Sequence, residues 1–146
     1  MNAEFRIQNS EPLERRTARS FHDLLVWQRA HESVLLAYHY SEKFPRAEIY
    51  GLSSQLRRAA ILIAANIAEG FKKRGRSYKM RFLNISQGSV EECRYYPLLA
   101  NDLGYGQPGL LEEKFTEVSK AYTRAIWNSN RENQRVPKRG ILNPEF

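Results

Sequence analysis

The sequence predicts an all-α protein, an antiparallel up-down four-helix bundle between two loosely ordered tails. Three observations carry this expectation. Breaker signals at Phe44-Pro45, from Gly70 to Gly75 and from Gly104 to Gly109 divide the chain into four segments of helical length. Within each segment apolar residues recur at steps of three and four, the period of one helix face. No segment alternates apolar and polar residues as a half-buried strand does. Helices of roughly twenty residues, each about 30 Å long at ~1.5 Å per residue and joined by short connections, suit such a bundle.

The first segment, 23–43, aligns Leu24, Trp27, His31, Val34, Leu35 and Tyr38 on one stripe, with Leu25, Leu36 and Tyr40 as a smaller second patch. The second, 49–71, carries Leu52, Leu56, Ala59, Ile63 and Ile67 on one face and Ile61, Ala64, Ala65 and Ala68 on the other. It is apolar almost all round, and because a bundle leaves one flank of each helix outside, it calls for a further partner. The third, 77–103, aligns Tyr78, Phe82, Ile85, Ser89, Cys93, Tyr96 and Ala100, with Ser77 placed as N-cap and Pro97 expected to kink the helix near Cys93. The fourth, 110–127, sets Leu111, Phe115, Val118, Tyr122 and Ile126 against a charged outer face of Glu113, Glu117, Lys120 and Arg124. The expected core includes Trp27, Val34, Leu56, Ile63, Phe82, Ile85, Phe115 and Tyr122.

The 146 residues, 42% apolar and 27% charged, suffice for one such domain. We place it at 21–128, with tails at 1–20 and 129–146 that mix charge with Pro, Asn, Gln and Ser and show no period. No apolar run reaches the ~18 residues of a membrane span and no signal-peptide pattern opens the chain, so a cytoplasmic location is expected. The single cysteine, Cys93, excludes an intrachain disulfide framework and reads as a small buried residue. His22, His31 and His39 are spaced nine and eight apart, not as the i, i+4 pair of a helical metal site. The pairs Glu91-Glu92 and Glu112-Glu113 point apart on a helix and cannot act together as acid and base. No metal, cofactor or catalytic constellation is expected, and so no enzyme.

The net charge of +7 is concentrated. Residues 72–82 hold six basic side chains, Lys72, Lys73, Arg74, Arg76, Lys79 and Arg81, and no acidic one. Lys72, Lys73 and Arg74 complement the negative end of the second helix's dipole, but Arg76, Lys79 and Arg81 oppose the positive end of the third. Cations placed there point to an anion, and a nucleic-acid backbone is the reading we carry forward. Gln55, Arg58, Asn66 and Glu69 form a narrow polar stripe on the second helix. With Leu25, Leu36 and Ile61 they are the candidates for an oligomer interface or a register-setting hydrogen-bond stripe, Glu69 being a natural partner for Arg57 or Arg58 of a neighbouring helix.

Several runs carry a family resemblance: Phe21-His22-Asp23-Leu24-Leu25-Val26-Trp27-Gln28-Arg29-Ala30, Tyr50-Gly51-Leu52-Ser53-Ser54-Gln55-Leu56-Arg57-Arg58-Ala59-Ala60, Ile63-Ala64-Ala65-Asn66-Ile67-Ala68-Glu69-Gly70, Arg81-Phe82-Leu83 and Gly88-Ser89-Val90-Glu91-Glu92. Over about 21–127 the chain resembles the four-helix-bundle proteins known as 23S ribosomal RNA intervening-sequence proteins. The resemblance extends to the accessory protein of diversity-generating retroelements, a basic bundle that binds a reverse transcriptase and nucleic acid. It implies assembly into a ring of five. Pro97 departs from the family pattern, which has an ordinary helix former there. Two functions follow as expectations. One is an accessory protein that binds nucleic acid, structured RNA foremost, at the junction of the second and third helices. The other is a non-catalytic ring that recruits a protein partner such as a reverse transcriptase and binds no nucleic acid itself.

Overall fold

The computed structural model describes residues 18–134. A 3-10 turn, Phe21–Asp23, leads into α1, Leu25–Ser41. A second 3-10 turn, Arg46–Glu48, precedes α2, Leu52–Lys72, which is followed by α3, Arg76–Asp102, and α4, Leu110–Gln134. There is no strand among the described residues. α1 packs on α2 and α4, α3 packs on α2 and α4, and the backbones of the diagonal pairs stay apart, which is the arrangement of an up-down bundle. α4 runs on through the expected start of the C-terminal tail as far as Gln134; residues 1–17 and 135–146 of the two expected tails lie outside the described residues.

α2 and α4 bury the faces expected of them: Leu52, Leu56, Ala59, Ile63 and Ile67 from α2, and Leu111, Phe115, Val118 and Tyr122 from α4, the side chain of Ile126 lying outside what is described. α1 and the first half of α3 do not. α1 turns Ala30, Ser33, Ala37, Tyr40 and Ser41 inward, while Trp27 and Val34 are half-buried and His31, Leu35 and Tyr38 are exposed. The physical reason is close approach: small side chains let the helix axis come in, and larger neighbours are left on the flanks. Ser33 and Ser41 lose no hydrogen bonding there, because their hydroxyls donate to the carbonyls of Arg29 at 2.9 Å and Ala37 at 2.8 Å. Tyr40, expected in an outer patch with Leu25 and Leu36, is buried and donates to the Gly106 carbonyl at 2.7 Å.

α3 likewise buries Ser86, Ser89, Val90, Cys93, Pro97 and Ala100. Ile85, expected in the core, is 47% exposed and Tyr78 60%; Phe82 is half-buried. The helix continues as one element through Pro97, whose ring is buried, and starts at Arg76, so Ser77 lies within it and is not its cap. Cys93 is fully buried, and desolvation, with Glu92 beside it, pushes its thiol well above the ordinary range. Among the described residues no helix is long and apolar enough to cross a membrane.

Candidate nucleic-acid interface

Three residues, Lys73, Arg74 and Gly75, join α2 to α3. Gly75 has φ +86°, where a side chain would be strained, and this conformation reverses the chain into α3. One turn earlier Gly70 permits a close approach: a Cβ on it would lie 2.9 Å from Cβ of Phe82. The turn is further clasped by two crossed contacts. The Lys73 ammonium stands 5.6 Å from the centre of the Phe82 ring and the Lys79 ammonium 5.9 Å from that of Phe71, so each helix lends a cation to the other's aromatic ring.

All six candidate cations, Lys72, Lys73, Arg74, Arg76, Lys79 and Arg81, are exposed around this turn. Lys72, Lys73, Arg74, Lys79 and Arg81 form no ion pair among the described residues, whereas Arg94 pairs with Glu91 at 3.1 Å and Lys114 with Glu32 at 3.2 Å. α3 begins without a side-chain cap and without an acid in its first turn, leaving backbone N–H groups and cations together at its positive end.

The other candidates separate. Gln55, Arg58 and Glu69 are exposed on α2, but Asn66 is buried and its amide donates to the Leu62 carbonyl of its own helix at 2.8 Å. Arg57 is taken up within the chain: its Nε donates to Ser41 Oγ at 2.7 Å and its guanidinium lies 4.6 Å over the Tyr38 ring. Leu25 and Leu36 share the side of α1 whose Glu32 meets Lys114 of α4, and Leu36 lines a shallow groove with Leu110 and Leu111. Ile61 lies elsewhere, in a groove with Tyr38, Ile49, Arg58 and Leu62. The proposed interface residues thus form two patches, not one.

One feature was hidden from sequence reasoning. Around the start of α1, Phe21 stacks on His22 at 4.1 Å, both rings meet Trp27 at 4.9 and 5.1 Å, and His31 lies flat against Trp27 at 5.0 Å and 6°. The 3-10 turn is fixed by a capping box. Ser20 Oγ accepts from the His22 N–H at 3.1 Å, and Asp23 accepts from the N–H groups of Ser20 at 3.1 Å and Arg19 at 2.8 Å. Those two bonds, Ser20's first, hold the Asp23 carboxyl below its usual range. The i, i+4 spacing of Trp27 and His31 was the available signal, but the sequence reading places both on the inward stripe of the first helix.

Comparison with known proteins places this geometry. A comparison with curated proteins found no match. Among solved structures the chain is similar to a protein of unknown function from the S23 ribosomal protein family of Bacteroides thetaiotaomicron, at 23% identity and a TM-score of 0.63 over 70% of this chain and 95% of that one. That likeness concerns the fold. The family model of the 23S rRNA-intervening sequence proteins matches residues 22–126, which take in α1, α2, α3 and α4 as far as residue 126, and the chain belongs to this family.

Proposed function

We propose that this is a self-associating, non-catalytic accessory protein of the cytoplasm that binds nucleic acid, structured RNA foremost, through phosphate contacts at the α2–α3 turn. The observation that carries the reading is the cluster of exposed cations at the uncapped start of α3. A cation opposes the dipole there and an anion is favoured, so a bound phosphate removes the conflict. Self-association is supported by Ile49, Ile61 and Leu62, exposed on one flank, and by Leu25 on another. The family resemblance supplies the ring of five, which would repeat the basic turn and add its contacts through effective concentration. With Cys93 buried as a thiol, the reading assigns no nucleophile.

The test is the variant with Lys73, Arg74, Arg76 and Lys79 changed to Gln, sized by light scattering and titrated with structured RNA and duplex DNA across a range of salt. Four phosphate contacts predict about a hundredfold weaker binding of the parent chain at 200 mM than at 50 mM salt, and little sequence preference. The variant keeps its assembly mass and loses both affinity and slope. Unchanged affinity and slope would make the turn ordinary solvated surface. A second reading, a scaffold that recruits a protein such as a reverse transcriptase and no nucleic acid, rests on the groove of Tyr38, Ile49, Ile61 and Leu62 edged by Arg57 and Arg58. It prevails if no RNA or DNA binds at low salt.

A further inference from the structure

The basic turn holds phosphates without regard to base, yet beside it stands a group of rings that the bundle does not fully bury. Two observations fix their position. Arg57 reaches Ser41 and covers Tyr38, so α1 and α2 run antiparallel with these residues level, and Trp27 and His31, at steps of four and three along the same stripe as Tyr38, face the α2 side. Counting about 1.5 Å per residue from that level sets Trp27 opposite the stretch from Ala68 to Phe71 and His31 opposite that from Ala64 to Ile67. The 3-10 turn that carries Phe21 and His22 also packs on α2. The rings therefore stand at the end of α2 from which Lys72 and Lys73 project.

We infer that Phe21, His22, Trp27 and His31 form a stacking platform for unpaired nucleobases of an RNA strand whose phosphates lie on the α2–α3 turn. His22 and His31 are exposed, Phe21 and Trp27 are half-buried, and the capping box with the Gln28 amide, which donates to the His22 carbonyl at 2.8 Å, holds the rings in place before any ligand arrives. Flat rings next to an exposed cluster of cations suit a strand with splayed bases, because every base has a face to stack and every linkage a phosphate to neutralise. The inference rests on the phosphate reading of the turn and adds to it a preference for single-stranded or looped RNA over duplex.

The experiment uses the full chain with Trp127→Phe, which leaves Trp27 the sole tryptophan. Its emission is followed against oligoadenylate and against duplex RNA of equal length. The expected result is quenching by oligoadenylate alone. By fluorescence anisotropy of end-labelled RNA, which needs no tryptophan, the double variant Trp27→Leu, His31→Ala weakens oligoadenylate roughly 5- to 150-fold and leaves the duplex within about twofold. Trp27→Phe, which keeps a ring, restores binding. Equal loss for both RNAs, or no loss for either, overturns the platform while leaving the basic turn standing. A change in assembly mass with oligoadenylate affinity intact overturns it in favour of a contact between protein chains. If the quadruple Gln variant of the turn loses nothing while quenching persists, the platform stands and the phosphate reading fails. If neither RNA binds the parent chain, both fail.

Discussion

The two ends of the bundle are built from similar residues and put them to opposite use. Where α1 turns into α2 and α3 into α4, Phe44 is buried between Tyr40 at 5.0 Å and Tyr105 at 5.5 Å. Tyr105 donates to one oxygen of Glu48 at 2.9 Å, and the other oxygen accepts from the Leu52 N–H at 2.8 Å, capping α2. Together with the Tyr40 to Gly106 bond, these contacts tie segments 57 and 66 residues apart. At the opposite end the aromatic rings are partly exposed and five cations have no ion-pair partner among the described residues. One end uses its aromatic and charged groups to close the chain on itself, and the other leaves many of them facing solvent. Where polar groups are already partnered, a new ligand must displace those partners; where they are not, it need only displace water.

The largest expected effect breaks the comparison at the closed end. Phe44→Ala should cost about 3 kcal/mol and lower Tm by roughly 10 °C in thermal unfolding. RNA affinity of the folded protein should hold. The quadruple Gln variant of the basic turn should show the reverse, with Tm nearly unchanged and binding lost. Equal damage to Tm from both would mean that the two ends share one structural role.

A smaller effect is visible only in acid. The Leu52 N–H and then the Tyr105 hydroxyl hold the Glu48 carboxyl below its ordinary value of 4.5. A carboxyl whose folded pKa is depressed stabilises the fold above its unfolded pKa, and that contribution is lost as pH falls through the folded value. Glu48→Gln should therefore lower Tm at neutral pH and flatten its decline below about pH 4.5. Some decline should persist, because Asp23, at the other end, is depressed by its own backbone bonds. A Tm profile parallel to that of the parent chain would show that the cap at Glu48 contributes nothing.

How far the sequence could be read follows from side-chain size and from distance along the chain. α4 was legible because its buried face is Leu, Val, Phe and Tyr, and α2 because Leu52, Leu56, Ile63 and Ile67 mark the face on which Ala59, Ala60, Ala64 and Gly70 are also buried. α1 and the first half of α3 were misread by a rotation, because they bury Ala30, Ser33 and Ala37, and Ser86, while Leu35 and Ile85 point outward; further along α3 the expected Ser89, Cys93 and Ala100 are buried. Close approach of small residues is a property of two helices together, and one helix's periodicity does not contain it. The basic turn was legible because charge clusters locally. The Glu48–Tyr105 pair, 57 residues apart, and the gathering of Phe21 and His22 around Trp27 depend on tertiary placement and on an N-terminal cap.

The smallest predicted effect lies between the two ends, where the core has one unresolved polar group. Tyr122 is fully buried, and desolvation raises its phenol far above the ordinary range. Ser86 faces it but donates to the Ile63 carbonyl at 3.4 Å, and the Tyr122 hydroxyl has no partner in hydrogen-bond geometry among the described residues. A buried hydroxyl left without a partner costs about 1–3 kcal/mol relative to water, so removing it should relieve strain while the ring still fills its site. Tyr122→Phe is expected to leave RNA binding untouched and to raise stability by up to about 1 kcal/mol, read from the denaturant midpoint at unchanged slope. A loss of about 1 kcal/mol instead would mean that the hydroxyl is bonded to Ser86, and that the middle of the bundle is closed by polar contacts in the manner of the Phe44 end.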